Sequence, residues 1–273
     1  MVGRGLVYVP AMNPYRVALA NLRFPSSPDA AVELAEQAIE NASRRGARIV
    51  CFPECFVPGY RKPNGGLAPA DAAFLDRAWS DIARAARAAN IAVVLGTERP
   101  TERGVMASAL VIQPDGTRDG FQDKVQIDPS EEGTYVAGSG RRVFQTGDLK
   151  FAIVICHEGW RYPETVRYAV RAGAHIVFHP HFHEKEPGAH RPSTFGEPES
   201  SFHERAVLCR AAENTAYFAS VNYAAEGSPT TSAVARPDGT LLAYQPYGCE
   251  GLLVADIDLA EATGLLAKRY KPT

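Results

Sequence analysis

Three side chains suited to nucleophilic chemistry lie at or just beyond the ends of segments that the sequence predicts as strands: Glu54, Lys124 and Cys156. Cys156 ends the apolar run Phe151–Ile155 and precedes the sequence HEGWRYPE. A thiol at such a strand-to-helix turn gains two aids, because backbone N–H groups point at the atom it attacks and a helix N-terminus favours the thiolate. A cysteine at this position is also a good core residue, so the nature of its partners must decide between the two interpretations.

The two charged residues have the same ambiguity when each is taken alone. Glu54 follows the apolar run Arg48–Phe52 in a turn stiffened by Pro53 and Pro58. A loop glutamate is usually solvated, but an enclosed one has a raised pKa that suits it to proton transfer at neutral pH. Lys124 ends a predicted hairpin strand, where a lysine is usually a surface charge. If it faces inward, it needs a carboxylate or a developing oxyanion as its partner.

The elements that must position these residues alternate between strands and helices, with hairpins interleaved. Apolar runs predict strands over Tyr15–Leu22, Arg48–Phe52, Ile91–Leu95, Phe151–Ile155, His175–Phe178, Ala216–Asn222 and Leu252–Asp258. Helical periodicity and capping residues predict helices over 27–46, 71–90, 163–172 and 203–214. Two Pro-Asp-Gly turns predict hairpins that join 107–113 to 117–124 and 231–236 to 240–244. This order favours a layered α/β domain with mixed sheets.

Three motifs in this order resemble those of the nitrilase superfamily, also called the carbon–nitrogen hydrolases. The resemblance rests on 47–54 with Gly59-Tyr60 as a glutamate motif, 123–127 as a lysine motif, and 155–158 with 161–164 as a nucleophile elbow. The spacing of 70 residues from Glu54 to Lys124 and of 32 from Lys124 to Cys156 is similar as well. Any one motif is moderately specific, whereas all three in order are a strong indication.

The resemblance implies a fold and a domain plan. We expect a four-layer α-β-β-α sandwich with two mixed β-sheets, forming a single domain over residues 15–258. Residues 1–14 would form an N-terminal arm, and residues 259–273 a C-terminal tail that could contact another subunit. Members of this superfamily form dimers or larger assemblies, so a homodimer or larger homo-oligomer is expected.

The resemblance also implies roles for four catalytic residues and no cofactor or metal. Glu54 would be the general base, Cys156 the nucleophile that forms a thioester, and Lys124 the stabiliser of the oxyanion together with the backbone N–H of His157. Glu131, which stands before Gly138, would orient Lys124. The expected reaction is hydrolysis of a non-peptide C–N bond in a small amide or N-carbamoyl compound.

Six further residues are predicted to contact the substrate: Tyr60, His157, Trp160, His179, His181 and Asn222. Tyr60 belongs to the glutamate motif, and Asn222 falls where superfamily members carry a pocket asparagine. His157 stands where relatives often have an aromatic residue, and Gly159-Trp160 lengthens the elbow. His179, His181 and His183 alternate in an extended segment and so share one face, which makes a metal site conceivable. No Cys or carboxylate completes a standard metal-ligand spacing, and the family's next strand ends beside the nucleophile, so a polar wall of the substrate pocket is favoured.

Several alternatives stay open at this stage. Relatives that act on nitriles tend to have Trp-Glu after the cysteine, whereas this chain has His157-Glu158, so amides are favoured over nitriles. Transfer of the acyl group to an amine uses the same thioester. A catalytically silent binding protein and a metal-dependent hydrolase using the histidines are the remaining classes. Residues 184–200, rich in Pro and Gly, would form a long loop or a lid.

Composition excludes several other partners. The 273 residues carry a net charge of -2, which gives no electrostatic footprint for nucleic acid or an acidic membrane surface. The sequence contains no apolar stretch of membrane-spanning length and no export signal, so a cytoplasmic location is predicted. Five cysteines, an odd number at low density, do not predict a disulfide framework.

Overall fold

A computed structural model describes residues 14–61, 71–185 and 187–271 of the chain, so nearly all of the predicted N-terminal arm lies outside the described residues. Twelve strands are described: β1 Tyr15–Asn21, β2 Ile49–Cys51, β3 Ala92–Thr101, β4 Gly104–Ile112, β5 Arg118–Asp123, β6 Val143–Thr146, β7 Leu149–Ile153, β8 Ile176–Pro180, β9 Tyr217–Val221, β10 Ala233–Ala235, β11 Leu241–Tyr244 and β12 Gly251–Ile257. The described helices are α1 Pro28–Arg44, α2 Ala72–Ala89, α3 His157–Arg161, α4 Pro163–Arg171, α5 Phe202–Ala212 and α6 Leu265–Arg269.

The strands form two six-stranded mixed sheets. The first has the order β12-β1-β2-β3-β4-β5, and the second has the order β11-β10-β9-β8-β7-β6. Strands β1, β2 and β3 are parallel at the centre of the first sheet, as are β7, β8 and β9 in the second, while the outer pairs are antiparallel. Because the carboxyl ends of parallel strands meet at one edge of a sheet, residues that follow them can converge there.

Three apolar layers hold the sheets and helices together. In β2, Ile49 and Cys51 face the core between the two sheets, whereas Val50 faces the core between the first sheet and the helices α1 and α2. A third core lies between the second sheet and helices α4 and α5, where Val166 and Val207 pack with Phe218. The alternation of side chains along each strand therefore produces the predicted α-β-β-α sandwich, which is confirmed.

Local sequence signals fix the helix ends near the predicted positions. The Ser27 side chain accepts a hydrogen bond from Ala30 N at the start of α1, and Asp71 caps α2 by accepting from the N–H groups of Ala73 and Phe74. Helix α2 ends at Ala89 and is capped by Asn90, whose left-handed backbone (φ 49°) is one that asparagine tolerates.

The structure differs from the sequence prediction mainly in β3, β6 and α3. Strand β3 continues to Thr101 and pairs with β4 over nine residues, although the predicted strand ended at Leu95. The extension carries Glu98, a charged residue that does not fit the apolar pattern of a buried strand. Its carboxylate is nevertheless fully buried, because it binds Arg61 and the Tyr135 hydroxyl. β6 and α3 have four and five residues, too few to establish a periodicity.

The C-terminal tail contains a short helix that the sequence did not predict. In α6, Ala267 is fully buried against α4, while Leu265, Leu266 and the following residue Tyr270 are about half exposed. Contact of this tail with a second copy stays a prediction. No helix in the described part of the chain is both long and apolar enough to cross a membrane.

The loop that carries Glu54 lies unusually close to β3. Phe52 N donates to Val94 O at 2.9 Å, and Val57 N donates to Gly96 O at 3.1 Å. A Cβ atom placed on Gly96 would lie 1.8 Å from the carbonyl oxygen of Pro53. Gly96 is therefore required for the close approach that positions the glutamate.

We expect Gly96→Ala to lower the free energy of unfolding by about 3 kcal/mol or more, because backbone has to move to accommodate the methyl group. Gly140→Ala is the matched control, since a Cβ there meets nothing within 4 Å and only the backbone at φ 80° is strained. That control should lose about 1 kcal/mol. Equal losses in urea unfolding of the two variants would contradict the role of Gly96.

Candidate active site

Cys156 occupies a strained turn between β7 and α3. Its backbone has φ 49° and ψ −111°, a conformation that is costly for a residue with a side chain. Cys156 N donates to Pro180 O at 2.9 Å, and its carbonyl oxygen accepts from Gly159 N at 3.0 Å and from His179 Nε2 at 2.8 Å. The turn is thus hydrogen-bonded both to the neighbouring strand β8 and to helix α3.

Glu54 lies beside the cysteine in a fully enclosed position. Its Oε1 accepts from Lys124 Nζ at 2.7 Å and its Oε2 accepts from Phe182 N at 3.2 Å, while the Cys156 thiol is a further hydrogen-bond partner. Burial raises the pKa of Glu54 to about 7, and this rise persists although the positive charge of Lys124 opposes it. The carboxylate is therefore suited to exchange a proton near neutral pH.

Lys124 joins Glu54 to Glu131 through a buried ammonium group. Its Nζ lies 2.8 and 2.6 Å from the two carboxylate oxygens of Glu131, and its side chain is inaccessible to solvent. Burial alone would lower the pKa of Lys124, but the adjacent acidic groups, with Glu54 first among them, outweigh burial and raise it well above its usual value. Lys124 is therefore charged, and its three N–H groups are all occupied by carboxylate oxygens.

Glu131 is in turn fixed by its own neighbours. The Tyr60 hydroxyl donates to its Oε1 at 2.8 Å, and Asp128 N donates to its Oε2 at 3.1 Å. The residue ends a short 3-10 helix, Pro129–Glu131, where it forms a reciprocal capping box with Asp128. The structure thus brings Glu54, Glu131 and Lys124 together with Cys156.

The thiol of Cys156 needs a base in this setting. Burial, followed by the nearby negative charge of Glu54, raises the pKa of the thiol well above its usual value, although Lys124 opposes the shift. The cysteine is therefore protonated at rest, and its activation requires transfer of the proton to an adjacent group. The thiol contacts Phe182 O at 3.9 Å and the Glu54 carboxylate, and of these two acceptors only the carboxylate can take up the proton.

Glu158 connects the lysine segment to the nucleophile elbow, a role that the sequence analysis missed. Its Oε1 accepts from the N–H groups of Val125 and Gln126 at 2.9 and 3.1 Å, and its Oε2 accepts from Ile155 N at 2.9 Å. Arg141 neutralises it from 3.0 Å, and the carboxylate is fully buried. One side chain therefore holds the backbone next to Lys124 against the backbone next to Cys156.

A cavity of about 260 Å³ opens next to the cysteine and is lined by Tyr60, Glu131 and Cys156, with Glu54 and Lys124 directly behind them. His157, Trp160, His183, His203, Arg161 and Glu184 contribute to the rest of the lining. Three of the six predicted substrate contacts, Tyr60, His157 and Trp160, therefore reach the cavity.

The aromatic wall of this cavity centres on Trp160. Its ring centroid lies 4.4 Å from that of His203 and 5.5 Å from that of His183. Burial lowers the pKa of His203 to about 3, and electrostatic interactions with His183 and Arg161 act in the same direction. On the other side of the cavity, His157 Nδ1 lies 2.8 Å from Asp128 Oδ2.

His179, His181 and Asn222 do not line the cavity, contrary to the sequence prediction. All three are buried, with at most 1% of their surface exposed. The strand face that they share points into the protein behind the elbow, where the imidazoles bond to Cys156 O and Ser220. Asn222 holds the backbone of His183 through its side-chain oxygen, at 3.0 Å from His183 N.

Within the residues that the structure describes, no group of three or more His, Cys, Asp or Glu side chains is arranged to hold a metal ion. The alternating histidines instead have hydrogen-bond partners. His181 Nδ1 lies 3.1 Å from Ser220 Oγ, and His183 Nδ1 lies 3.2 Å from Thr230 Oγ1.

The segment predicted as a loop or lid has no regular structure over 187–200 and packs on α5. Gly196 N donates to Glu204 Oε2 at 2.8 Å, and Arg205 donates to the carbonyl oxygens of Pro198 and Ser200. Glu184, at the start of the segment, lines the cavity.

Other site residues were missed because their contribution is made by backbone or by distant elements. Phe182 supplies an N–H to Glu54 and a carbonyl oxygen 3.9 Å from the Cys156 sulfur, and its side-chain type gives no sign of either contact. His203 and Arg161 come from α5 and α3. The Ser-Phe-His-Glu and Trp-Arg-Tyr contexts contain no signal that would have joined them.

Comparison with known proteins matches this architecture. A family model described as carbon–nitrogen hydrolase matches residues 16–265. A nitrilase from Pyrococcus abyssi is 27% identical over 85% of both chains, and an N-carbamoylputrescine amidase from Arabidopsis thaliana is 26% identical over 89% of this chain and 87% of the relative. A solved structure of an amidase variant from Nesterenkonia sp. AN1, with the acetamide moiety of fluoroacetamide added to its active-site cysteine, superposes with a TM-score of 0.76 at 26% identity, covering 96% of this chain and 95% of the other.

We expect Glu158→Gln to lower the free energy of unfolding by about 3 kcal/mol, because it removes the buried charge that pairs with Arg141 and places an NH₂ group against backbone donors. The turnover number should fall at least about tenfold, since the lysine and cysteine segments lose their common anchor. The exposed Glu164→Gln is the control and should change neither quantity. Wild-type turnover in the Glu158 variant would show that the bridge does not position the site.

Proposed function

The chain belongs to the carbon–nitrogen hydrolase family, and we propose that it hydrolyses a small amide or N-carbamoyl compound through a thioester on Cys156. The observation that carries the proposal is the meeting of Glu54, Lys124 and Cys156 beside one cavity. A thiol, a base whose pKa is near neutrality and a buried cation are the groups that attack on an unreactive carbonyl requires.

In the acylation step, Glu54 takes the proton of Cys156 and the sulfur attacks the substrate carbonyl carbon. The carbonyl oxygen becomes an oxyanion in the tetrahedral intermediate. Glu54 then gives its proton to the substrate nitrogen, the C–N bond breaks, and ammonia or an amine leaves while the acyl group stays on sulfur. The proton that left the thiol thus ends on the leaving group.

In the deacylation step, water replaces the departed amine. Glu54 takes a proton from the water molecule, whose oxygen attacks the thioester carbonyl. Collapse of the second intermediate breaks the C–S bond, and the proton returns to Cys156. The products are a carboxylic acid, or carbamic acid from an N-carbamoyl substrate, and the free enzyme.

Lys124 stabilises the oxyanion by exchanging partners. At rest its three N–H groups bond to Glu54 Oε1 and to both oxygens of Glu131. Once Glu54 accepts the thiol proton it becomes neutral and releases its hold on the ammonium group. A donor is therefore freed at the same moment that negative charge develops on the substrate oxygen. The backbone N–H of His157 is the second donor.

The substrate is proposed to be small and to present an amide carbonyl. The cavity of about 260 Å³ lies slightly below the range of about 300–1,000 Å³ that is typical of ligand pockets, which supports a small substrate. Relatives named as an N-carbamoylputrescine amidase and as an amidase whose cysteine bears an acetamide moiety support an amide-type substrate. The His157-Glu158 pair after the cysteine supports amides over nitriles, by resemblance.

Intact-mass spectrometry after incubation with amides, N-carbamoyl compounds and nitriles tests this proposal. We expect wild-type protein to gain the mass of an acyl or carbamoyl group on Cys156 with a turned-over substrate. Cys156→Ala should form no adduct and lose turnover by at least about 10³-fold, whereas Cys209→Ala, at an exposed cysteine, should retain both. Turnover that survives Cys156→Ala and is lost with a chelator would instead favour a metal-dependent hydrolase.

The pH profile of kcat/KM reports the state of Glu54. Its pKa is raised to about 7 and it acts as a base in its deprotonated form, so activity should be present above that pKa and lost below it. We expect kcat/KM to rise about tenfold per pH unit below pH 7 and to level off above it. Glu54→Gln should abolish this rise together with most activity. A wild-type profile that is flat from pH 5 to 7 would contradict the assignment.

A further inference from the structure

A buried chain of alternating imidazole and hydroxyl groups runs behind the nucleophile. It begins with His179 Nε2 at 2.8 Å from the carbonyl oxygen of Cys156, and His179 Nδ1 lies 2.8 Å from Ser220 Oγ. Ser220 Oγ lies 3.1 Å from His181 Nδ1, and His181 Nε2 lies 3.4 Å from Thr230 Oγ1. The catalytic groups proposed above use none of these side chains directly.

The partners determine which nitrogen of each imidazole carries the proton. A carbonyl oxygen only accepts, so His179 must be protonated on Nε2 to donate to Cys156 O, and its Nδ1 must then accept from the Ser220 hydroxyl. Ser220 Oγ in turn accepts from His181 Nδ1, which also lies 3.4 Å from the His179 carbonyl oxygen and so must be a donor. The hydrogen bonds therefore all run in one direction, towards Cys156.

Both imidazoles remain neutral, which keeps this arrangement intact. Burial lowers the pKa of His179 to about 3 and that of His181 well below its usual value. A neutral His179 keeps one donor and one acceptor, as the partners require. The chain cannot relay protons to the reaction, because its last acceptor is a carbonyl oxygen that has no proton to pass on.

The contact with Cys156 O acts on a peptide group that takes part in the proposed chemistry. In a trans peptide the C=O and N–H bonds point in opposite directions, so holding Cys156 O inwards orients the N–H of His157 away from His179. No residue in the described part of the chain accepts a hydrogen bond from this N–H. A hydrogen bond at the carbonyl also polarises the same peptide group and strengthens its N–H as a donor.

We propose that His179 is a positioning residue for the oxyanion hole, and that Ser220 and His181 hold it in the donating tautomer. The inference rests on the proposed function, since it assigns an anchor to the His157 N–H that binds the oxyanion. It extends that function by giving the buried alternating histidines a role in transition-state stabilisation and not in substrate contact.

The pair His179→Gln and His179→Met tests this role with matched packing. Both side chains are unbranched and of equal length, and both disturb the contact of the imidazole with Gly159 equally. Only glutamine retains a donor for Cys156 O. We expect kcat of the methionine variant to fall about 100-fold below wild type, with KM changed less than threefold. The kcat of the glutamine variant should be at least about tenfold higher than that of the methionine variant. Equal kcat values in the two variants would overturn the proposal.

Reaction of Cys156 with methyl methanethiosulfonate, followed by peptide mass spectrometry, separates positioning from general damage. Disulfide exchange requires the thiolate and its base but develops no oxyanion on carbon. The rate at Cys156 should stay within threefold of wild type in both His179 variants. A fall in this rate as large as the fall in kcat would show a structural defect and overturn the proposal.

Ser220→Ala is the second variant, and it keeps the His179 ring in place. We expect kcat to fall about five- to tenfold at unchanged KM and unchanged thiosulfonate rate, since the imidazole loses the hydroxyl that selects its tautomer. Unchanged kcat would overturn the role of Ser220. Failure of the underlying function is distinguished separately, because wild-type protein would then form no acyl adduct at Cys156.

Discussion

The site depends on the ion pairs that the buried ammonium group of Lys124 forms with two carboxylates. The ammonium group lies between the carboxylates of Glu54 and Glu131, and without it two acidic groups would face each other in a region closed to water. The same contacts explain why Glu54 has a pKa near neutrality, since burial and Glu131 raise it while Lys124 lowers it. The ammonium group of Lys124 therefore both compensates two buried carboxylates and helps to set the pKa of Glu54.

The scaffold serves this group by bringing turns from both sheets together. Glu54 follows β2 and lies close to β3 of the first sheet, whereas Cys156 follows β7 of the second. Glu158 ties the two sides because its carboxylate binds backbone N–H groups on the lysine segment and on the elbow. The positions of Glu54, Lys124 and Cys156 are therefore fixed largely by hydrogen bonds to the backbone of the segments that carry them.

Sequence reasoning predicted Glu54, Lys124 and Cys156 as site residues because their motifs, taken in order, resemble those of the carbon–nitrogen hydrolases, whereas each residue alone left a structural interpretation open. It correctly placed His179 and His181 on one shared face, and their rings stack 5.1 Å apart, but spacing does not reveal whether a face points to a cavity or to the interior. The contacts of Phe182 are made by its backbone, which no residue type announces. His203 and Arg161 reach the cavity from two separate helices. Their meeting depends on how the helices pack, which local sequence patterns do not reveal.

The net charge of Glu54, Glu131 and Lys124 beside the cavity affects product release in the proposed reaction. Two carboxylates and one ammonium leave an excess of negative charge when Glu54 is ionised. An amide arrives uncharged, whereas the carboxylic acid formed from it ionises at neutral pH and is then repelled at short range. Under the proposed hydrolysis, this repulsion would favour release of the acid product.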